Sequence, residues 1–114
     1  KIDEDGNYWF IDRIKNVIIS GGENIYPAEL EVLLSSNKDL VEYSIVGKHD
    51  VKWGEVPVIV AVKKNKSVTS DQILYLFNEK VAKYKIPKEV IFVNNIPKNA
   101  LGKIEIDKVK QLVN

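Results

Sequence analysis

The chain has 114 residues, 45% of them hydrophobic and 29% charged, with a formal net charge of +1. This is one domain with a modest core, and sixteen lysines and one arginine set against sixteen acids exclude the positive excess of a nucleic-acid-binding surface. Cysteine is absent and His49 is the only histidine, so a disulfide framework and a thiolate metal site are excluded, no metal site is expected, and His49 is read as structural.

Asp3-Glu-Asp-Gly6 has turn composition, and the aromatic Tyr8-Trp-Phe-Ile11 after it reads as a strand. Val17-Ile-Ile19 can answer that strand, giving a short N-terminal β-hairpin that needs a neighbour to cover it. Ser20-Gly-Gly-Glu-Asn24 can then reverse the chain with φ angles that only glycine takes cheaply. Pro27 suits a first helical turn, Glu29 and Glu31 favour its positive end, and Leu30, Leu33 and Leu34 share one face, so a helix is predicted over about residues 27–36.

Val41 to Val46 alternates apolar and polar residues, whereas Val56 to Val62 is nearly continuously apolar, as in a strand covered on both sides; the two are expected to pair in the core. Thr69 and Gln72 have capping-box spacing, and Ile73, Leu76, Phe77, Val81 and Tyr84 repeat at helical intervals, predicting a second helix that runs up to Pro87. Val90-Ile-Phe-Val93 reads as another buried strand, Pro97 to Lys103 as a loop, and Asp107 as the cap of a last short helix ending near Val113. The order of elements predicts an α+β fold in which about three helices pack on a small mixed β-sheet.

No apolar run approaches the roughly twenty residues that a bilayer span needs, and no basic-then-apolar leader opens the chain, so a cytoplasmic location and no membrane span are expected. Methionine is absent and the chain opens inside a polar turn, so a piece of a longer protein is expected.

The richest segment is Asp12-Arg-Ile-Lys-Asn-Val-Ile-Ile-Ser-Gly-Gly-Glu-Asn-Ile-Tyr-Pro-Ala-Glu-Leu-Glu31, followed about seventy residues later by Pro97-Lys-Asn-Ala-Leu-Gly-Lys103. In order and spacing these two motifs resemble the small C-terminal domain of the adenylate-forming enzymes, a superfamily of acyl-CoA synthetases, luciferases and peptide-synthetase adenylation domains. The resemblance covers essentially the whole chain. It implies that residues 1–15 end the inter-domain connection and hinge region, and that residues 16–114 form a mobile lid over a large N-terminal domain of the same polypeptide.

Lys103 follows Gly102 in a loop shaped by proline, asparagine and glycine, with few apolar residues to bury it. The resemblance makes it the adenylation lysine, entering between the substrate carboxylate and the α-phosphate of ATP. Arg13 has the planar fork that suits phosphate or carboxylate, and the resemblance makes it an ATP contact; a surface ion pair with Asp12 or Glu23 is the other reading. The resemblance puts Lys15 at the hinge position, about which the small domain would rotate between two half-reactions.

For Gly21 and Gly22 a structural turn and a place on the CoA side both remain open, the second implied by the resemblance. Tyr84 and Lys85 stand where some relatives hold the nucleotide end of CoA, although Tyr84 also continues an apolar face and Ile86 replaces a basic residue found in some relatives. Asp50-Val-Lys-Trp-Gly-Glu55 likewise resembles a turn of the family, which implies a place near pantetheine for Trp53; capping the sheet is the other reading. The implied function is an ATP-dependent acyl-CoA ligase that makes acyl-AMP and passes the acyl group to CoA. ATP and Mg would be bound mainly by the N-terminal domain, and CoA would be the co-substrate. The alternatives are a lid that loads a carrier protein, disfavoured by Ser20-Gly-Gly-Glu-Asn-Ile-Tyr-Pro27, and a non-catalytic interaction module. Fatty, aromatic and succinylbenzoate-type acids are equally compatible with these residues, and the isolated chain is expected to be inactive.

Overall fold

The computed structural model describes residues 16–114, so the predicted Tyr8–Ile11 strand, Arg13 and Lys15 lie outside the described residues. Strands β1 (Ile18–Ser20) and β2 (Glu23–Ile25) pair antiparallel, with Ser20 opposite Glu23. Gly21 and Gly22 join them at φ +58° and +85°, the positive pair that a two-residue type I′ connection requires. The expected reversal is present and is so tight that the residues after it form a strand of their own.

Helix α1 (Pro27–Glu31) begins at its proline, then tightens into a 3₁₀ turn at Val32–Leu34 instead of running to residue 36. Ser35 explains the early end. Its hydroxyl and its amide both donate to the Val32 carbonyl, at 2.7 and 3.2 Å, offering the backbone an alternative to the next α-helical turn. Leu30 and Leu34 are nonetheless fully buried, on the face the spacing predicts.

The long hairpin of β3 (Leu40–Asp50) and β4 (Gly54–Lys63) is the centre of a five-stranded mixed sheet. β3 lines one edge of β4 from end to end, while β1, at Ser20 opposite Gly54, and the parallel strand β5 (Val90–Phe92) share the other. Apolar clusters on both faces of the sheet account for the unbroken burial of β4 from Val56 to Ala61. Alternation sends Ile45, Ile59 and Ala61 toward a core with Ile18, Ile25, Leu30, Leu34, Ile73 and Phe77. Val46, Val58 and Val60 face the opposite side, toward Ile96, Val109 and Val113 of the C-terminal segment.

Helix α2 (Ser70–Tyr75) opens on the predicted capping box, with Gln72 N–H donating to the Thr69 hydroxyl at 3.2 Å and Thr69 N–H donating to Gln72 Oε1 at 3.0 Å. It does not run to Pro87. After Tyr75 the amides of Leu76, Phe77 and Asn78 donate to carbonyls three residues back, and Glu79 turns the chain with φ +62°. Ala82 is extended before a 3₁₀ turn at Lys83–Lys85. The apolar spacing is met by successive tight turns, which bring Phe77, Val81 and Ile86 to one core without a shared helical face. Helix α3 (Ile106–Val113) starts two residues earlier than predicted: Glu105 is its cap, and Asp107 lies inside the first turn, where its charge favours the positive helix end. Among the described residues no helix is long and apolar enough to cross a membrane.

The outer edge of β3 is blunted by side chains. Glu31 Oε2 accepts from Ile45 N–H at 3.1 Å and Asn16 Nδ2 donates to the Ile45 carbonyl at 3.4 Å. The Asn114 amide accepts from His49 N–H at 2.8 Å and donates to the Gly47 carbonyl at 3.4 Å. Occupied groups of this kind keep an edge strand from recruiting another chain.

Desolvation pushes the Glu31 carboxyl above its ordinary 4.5, partly opposed by the Ile45 hydrogen bond, and burial followed by the Glu31 charge raises the Tyr43 hydroxyl. A carboxyl raised in the folded state binds its proton more tightly there than in the unfolded chain. Its stabilising effect is therefore full below 4.5 and is lost as pH rises through the folded value. Glu31→Gln keeps an acceptor for Ile45 N–H and removes the titration. In urea melts, the variant should gain stability relative to the parent as pH rises from below 4.5 toward neutrality. A relative loss over that range would contradict the assignment.

Candidate functional site

Lys103 sits in a loop organised by one asparagine. Asn99 Oδ1 accepts from the amides of Leu101 and Lys103 at 2.9 and 3.0 Å, Asn99 N–H donates to the Lys103 carbonyl at 2.8 Å, and Gly102 N–H donates to the Asn99 carbonyl at 3.0 Å. Gly102 closes the turn at φ +85°. Lys98 bridges Ile104 at the base, and Glu105 N–H donates to the Pro97 carbonyl at 2.9 Å. Below the turn, Ile96 and Ile104 pack into the core beside α3, and Lys98 pairs with Glu42 of β3. A tip fastened this firmly carries an exposed Lys103 and an exposed Leu101. The geometry places Lys103 on a short projection held by its own hydrogen bonds.

A second feature is a cleft of about 260 Å³ lined by Ser20, Gly21, Glu23, Trp53, Tyr84 and Lys88. Its residues come from the β1–β2 hairpin, the β3–β4 turn, and the segment from the second 3₁₀ turn to β5. Asp50 Oδ1 shapes the β3–β4 turn by accepting from the amides of Lys52 and Trp53, both at 2.9 Å. Gly21 N–H donates to the Trp53 carbonyl at 2.9 Å, and the Trp53 ring lies so close that a Cβ on Gly21 would stand 2.7 Å from its Cε3. Glycine at position 21 is thus needed both for φ and for the ring. A Cβ on Gly22 would meet nothing within 4 Å, so the need there is for φ alone.

Of the residues singled out in the sequence, Gly21, Trp53 and Tyr84 come together in this cleft, and Gly22 and Lys85 do not line it. Lys85 lies 3.6 Å from the Glu29 carboxylate and 5.8 Å from the Tyr84 ring centre. Trp53 and Tyr84 are 46% and 39% exposed, so neither ring is a core residue. The cation on the cleft is Lys88, which sequence reasoning missed along with Ser20 and Glu23. Pro87 ends any helix before Lys88, but no spacing in the sequence places that residue beside Tyr84; the turns at Glu79 and Lys83–Lys85 do. His49 is an exposed residue of β3, tied through its backbone to Asn114. Among the described residues no group of three or more His, Cys, Asp or Glu side chains is placed to hold a metal ion.

The AMP-binding enzyme C-terminal domain family matches residues 29–103. The indoleacetate–CoA ligase of Aromatoleum aromaticum is 46% identical over 112 residues, which cover 97% of this chain and 22% of the relative. The 2-succinylbenzoate–CoA ligase of Bacillus cereus is 45% identical over 112 residues, covering 98% and 23%. Among solved structures, a Mycobacterium tuberculosis fatty acyl CoA synthetase superposes with TM-score 0.82 at 39% identity, covering 88% of this chain and 20% of that one. The chain therefore spans about a fifth of the length of the relatives it matches. With a matched stretch that takes in most of the fold and nearly half of the residues shared with such ligases, the chain belongs to the AMP-binding enzyme C-terminal domain family.

Proposed function

We propose that this chain is the C-terminal lid of an ATP-dependent acyl-CoA ligase, with residues 1–15 as connection and hinge and 16–114 as the moving domain. The observation that carries this reading is the convergence of Gly21, Trp53, Tyr84 and Lys88 on one cleft. Two aromatic rings, a bare backbone and an ammonium suit a ligand that is part flat heterocycle, part slender chain and part phosphate, which describes CoA. The similarity to CoA ligases supports the same substrate.

In the first half-reaction a carboxylate oxygen bonds to the α-phosphorus of ATP and pyrophosphate departs. Negative charge crowds that centre, and the Lys103 ammonium lowers the repulsion and holds the two reactants together. In the second, the CoA thiol attacks the acyl carbonyl and AMP leaves, with the Gly21–Trp53 wall guiding the thiol arm and Lys88 meeting phosphate. Arg13 contacts ATP and Lys15 acts as the hinge. Gly22 and Lys85 support the cleft from outside it, Gly22 by shaping the hairpin and Lys85 by standing beside Tyr84. The large domain supplies the acyl pocket and most contacts to magnesium and nucleotide.

The test joins this chain to its large domain and offers the activated acid either free CoA or a carrier protein bearing phosphopantetheine. Thioester formation with free CoA, and none with the carrier, is expected. Loading of the carrier alone would make the chain a carrier-dedicated lid, and absence of any thioester or adenylate would leave it an interaction module.

A further inference from the structure

The cleft exists only while the β1–β2 hairpin stays against the β3–β4 turn, yet β1 meets β4 at a single residue pair, Ser20 with Gly54. Two tethers flank that pair. On one side Gly21 N–H donates to the Trp53 carbonyl at 2.9 Å. On the other, Ile19 N–H donates to a side chain, Glu55 Oε1, at 3.2 Å. The second carboxylate oxygen of Glu55 lies 3.9 Å from Lys110 Nζ on α3. A Cβ on Gly47 would stand 3.0 Å from the Glu55 carboxyl carbon and 3.1 Å from each oxygen, so the carboxylate occupies room that only a glycine on β3 leaves. One side chain thus links β1, β4, β3 and α3, two residues after the tryptophan that walls the cleft.

We propose that Glu55 is a positioning residue of the coenzyme-side cleft: by holding Ile19 N–H it keeps the glycine turn seated on Trp53. The proposal rests on the reading of that cleft as the CoA side. Each strand of the hairpin has three residues, too few to hold its own angle, so the carboxylate supplies what the interrupted ladder lacks. What Glu55 contributes is an acceptor at a fixed place, not a charge facing the ligand. Glutamine should therefore replace it and alanine should not.

In the full-length ligase, Glu55→Ala is expected to raise the KM for CoA about tenfold while acyl-adenylate formation changes by less than about twofold. Glu55→Gln should return the KM to within about threefold of the parent. Hydrogen exchange of the peptide spanning residues 18–25 should quicken in Glu55→Ala and be parental in Glu55→Gln. Gly47→Val, which crowds the carboxylate while leaving Glu55 in place, should reproduce the KM defect even if Glu55→Ala does not fold. An unchanged KM and unchanged exchange in Glu55→Ala, failure of glutamine to rescue, or a normal KM in Gly47→Val would each overturn the proposal. Gly21→Val separates the two levels. If it raises the KM for CoA and Glu55→Ala does not, the positioning role fails alone; if neither does, the coenzyme-side reading falls with it.

Discussion

Lys103→Ala, made in the full-length protein, is expected under the proposed role to slow acyl-adenylate formation by about 10²- to 10³-fold, or ~3–4 kcal/mol of barrier. Thioester formation from a supplied acyl-adenylate should remain close to the parental rate. The asymmetry follows from chemistry: charge accumulates at the α-phosphorus only while the carboxylate attacks, and a positioned cation matters most where charge develops. The loop makes a purely architectural explanation of such a loss testable. Asn99 holds the turn through the backbone of residues 101–103, contacts that alanine at 103 keeps. The Asn99-held turn should therefore persist in the variant, with residues 99–103 keeping parental hydrogen exchange, and a fall in both half-reactions would argue against the role.

Gly21→Val is expected to do the reverse, sparing adenylation and lowering thioester formation by about 10²-fold. Two costs add at this residue. A φ of +58° is unfavourable for a side chain by about 1–2 kcal/mol, more for a β-branched one. The new Cβ would also fall 2.7 Å from Trp53 Cε3, so the ring must leave the wall of the cleft. Gly22→Ala is the natural comparison. Its φ is also positive but its Cβ would meet no neighbour, so it should cost about 1 kcal/mol of stability and leave the cleft in place. If the two variants behaved alike, backbone strain alone would explain both, and the proposed contact between cleft and coenzyme would lose its support.

Local chemistry was the most legible part of this chain. The Thr69–Gln72 box, the proline at the start of α1 and the apolar run of β4 each act within a few residues, and each appears where the spacing puts it. Helical spacing misled between Phe77 and Tyr84, because tight turns can bring apolar residues to one core at the same intervals, and the positive φ at Glu79 has no residue-type signature. Ser35 shortened α1 by a side-chain bond whose effect on length is not visible from leucine spacing.

The candidate site divides in the same way. Gly21, Trp53 and Tyr84 were marked by motif and do meet in one cleft. Lys88 was not, because its place depends on the tight turns between Leu76 and Lys85 that stand where a continuous helix was expected. In the sequence Glu55 stands only at the end of a turn motif, since its partners Ile19, Gly47 and Lys110 are distant along the chain and are brought together by the fold. Lys85, marked as a CoA contact, is drawn toward Glu29 on α1.

The most direct measurement follows both half-reactions by rapid quench in one full-length enzyme, comparing the parent with Lys103→Ala and Gly21→Val. Two features of one lid serving two successive steps predict crossed defects: adenylation lost with thioester transfer kept in the first variant, and the opposite in the second. Parallel losses in both variants, in either half-reaction, would contradict it.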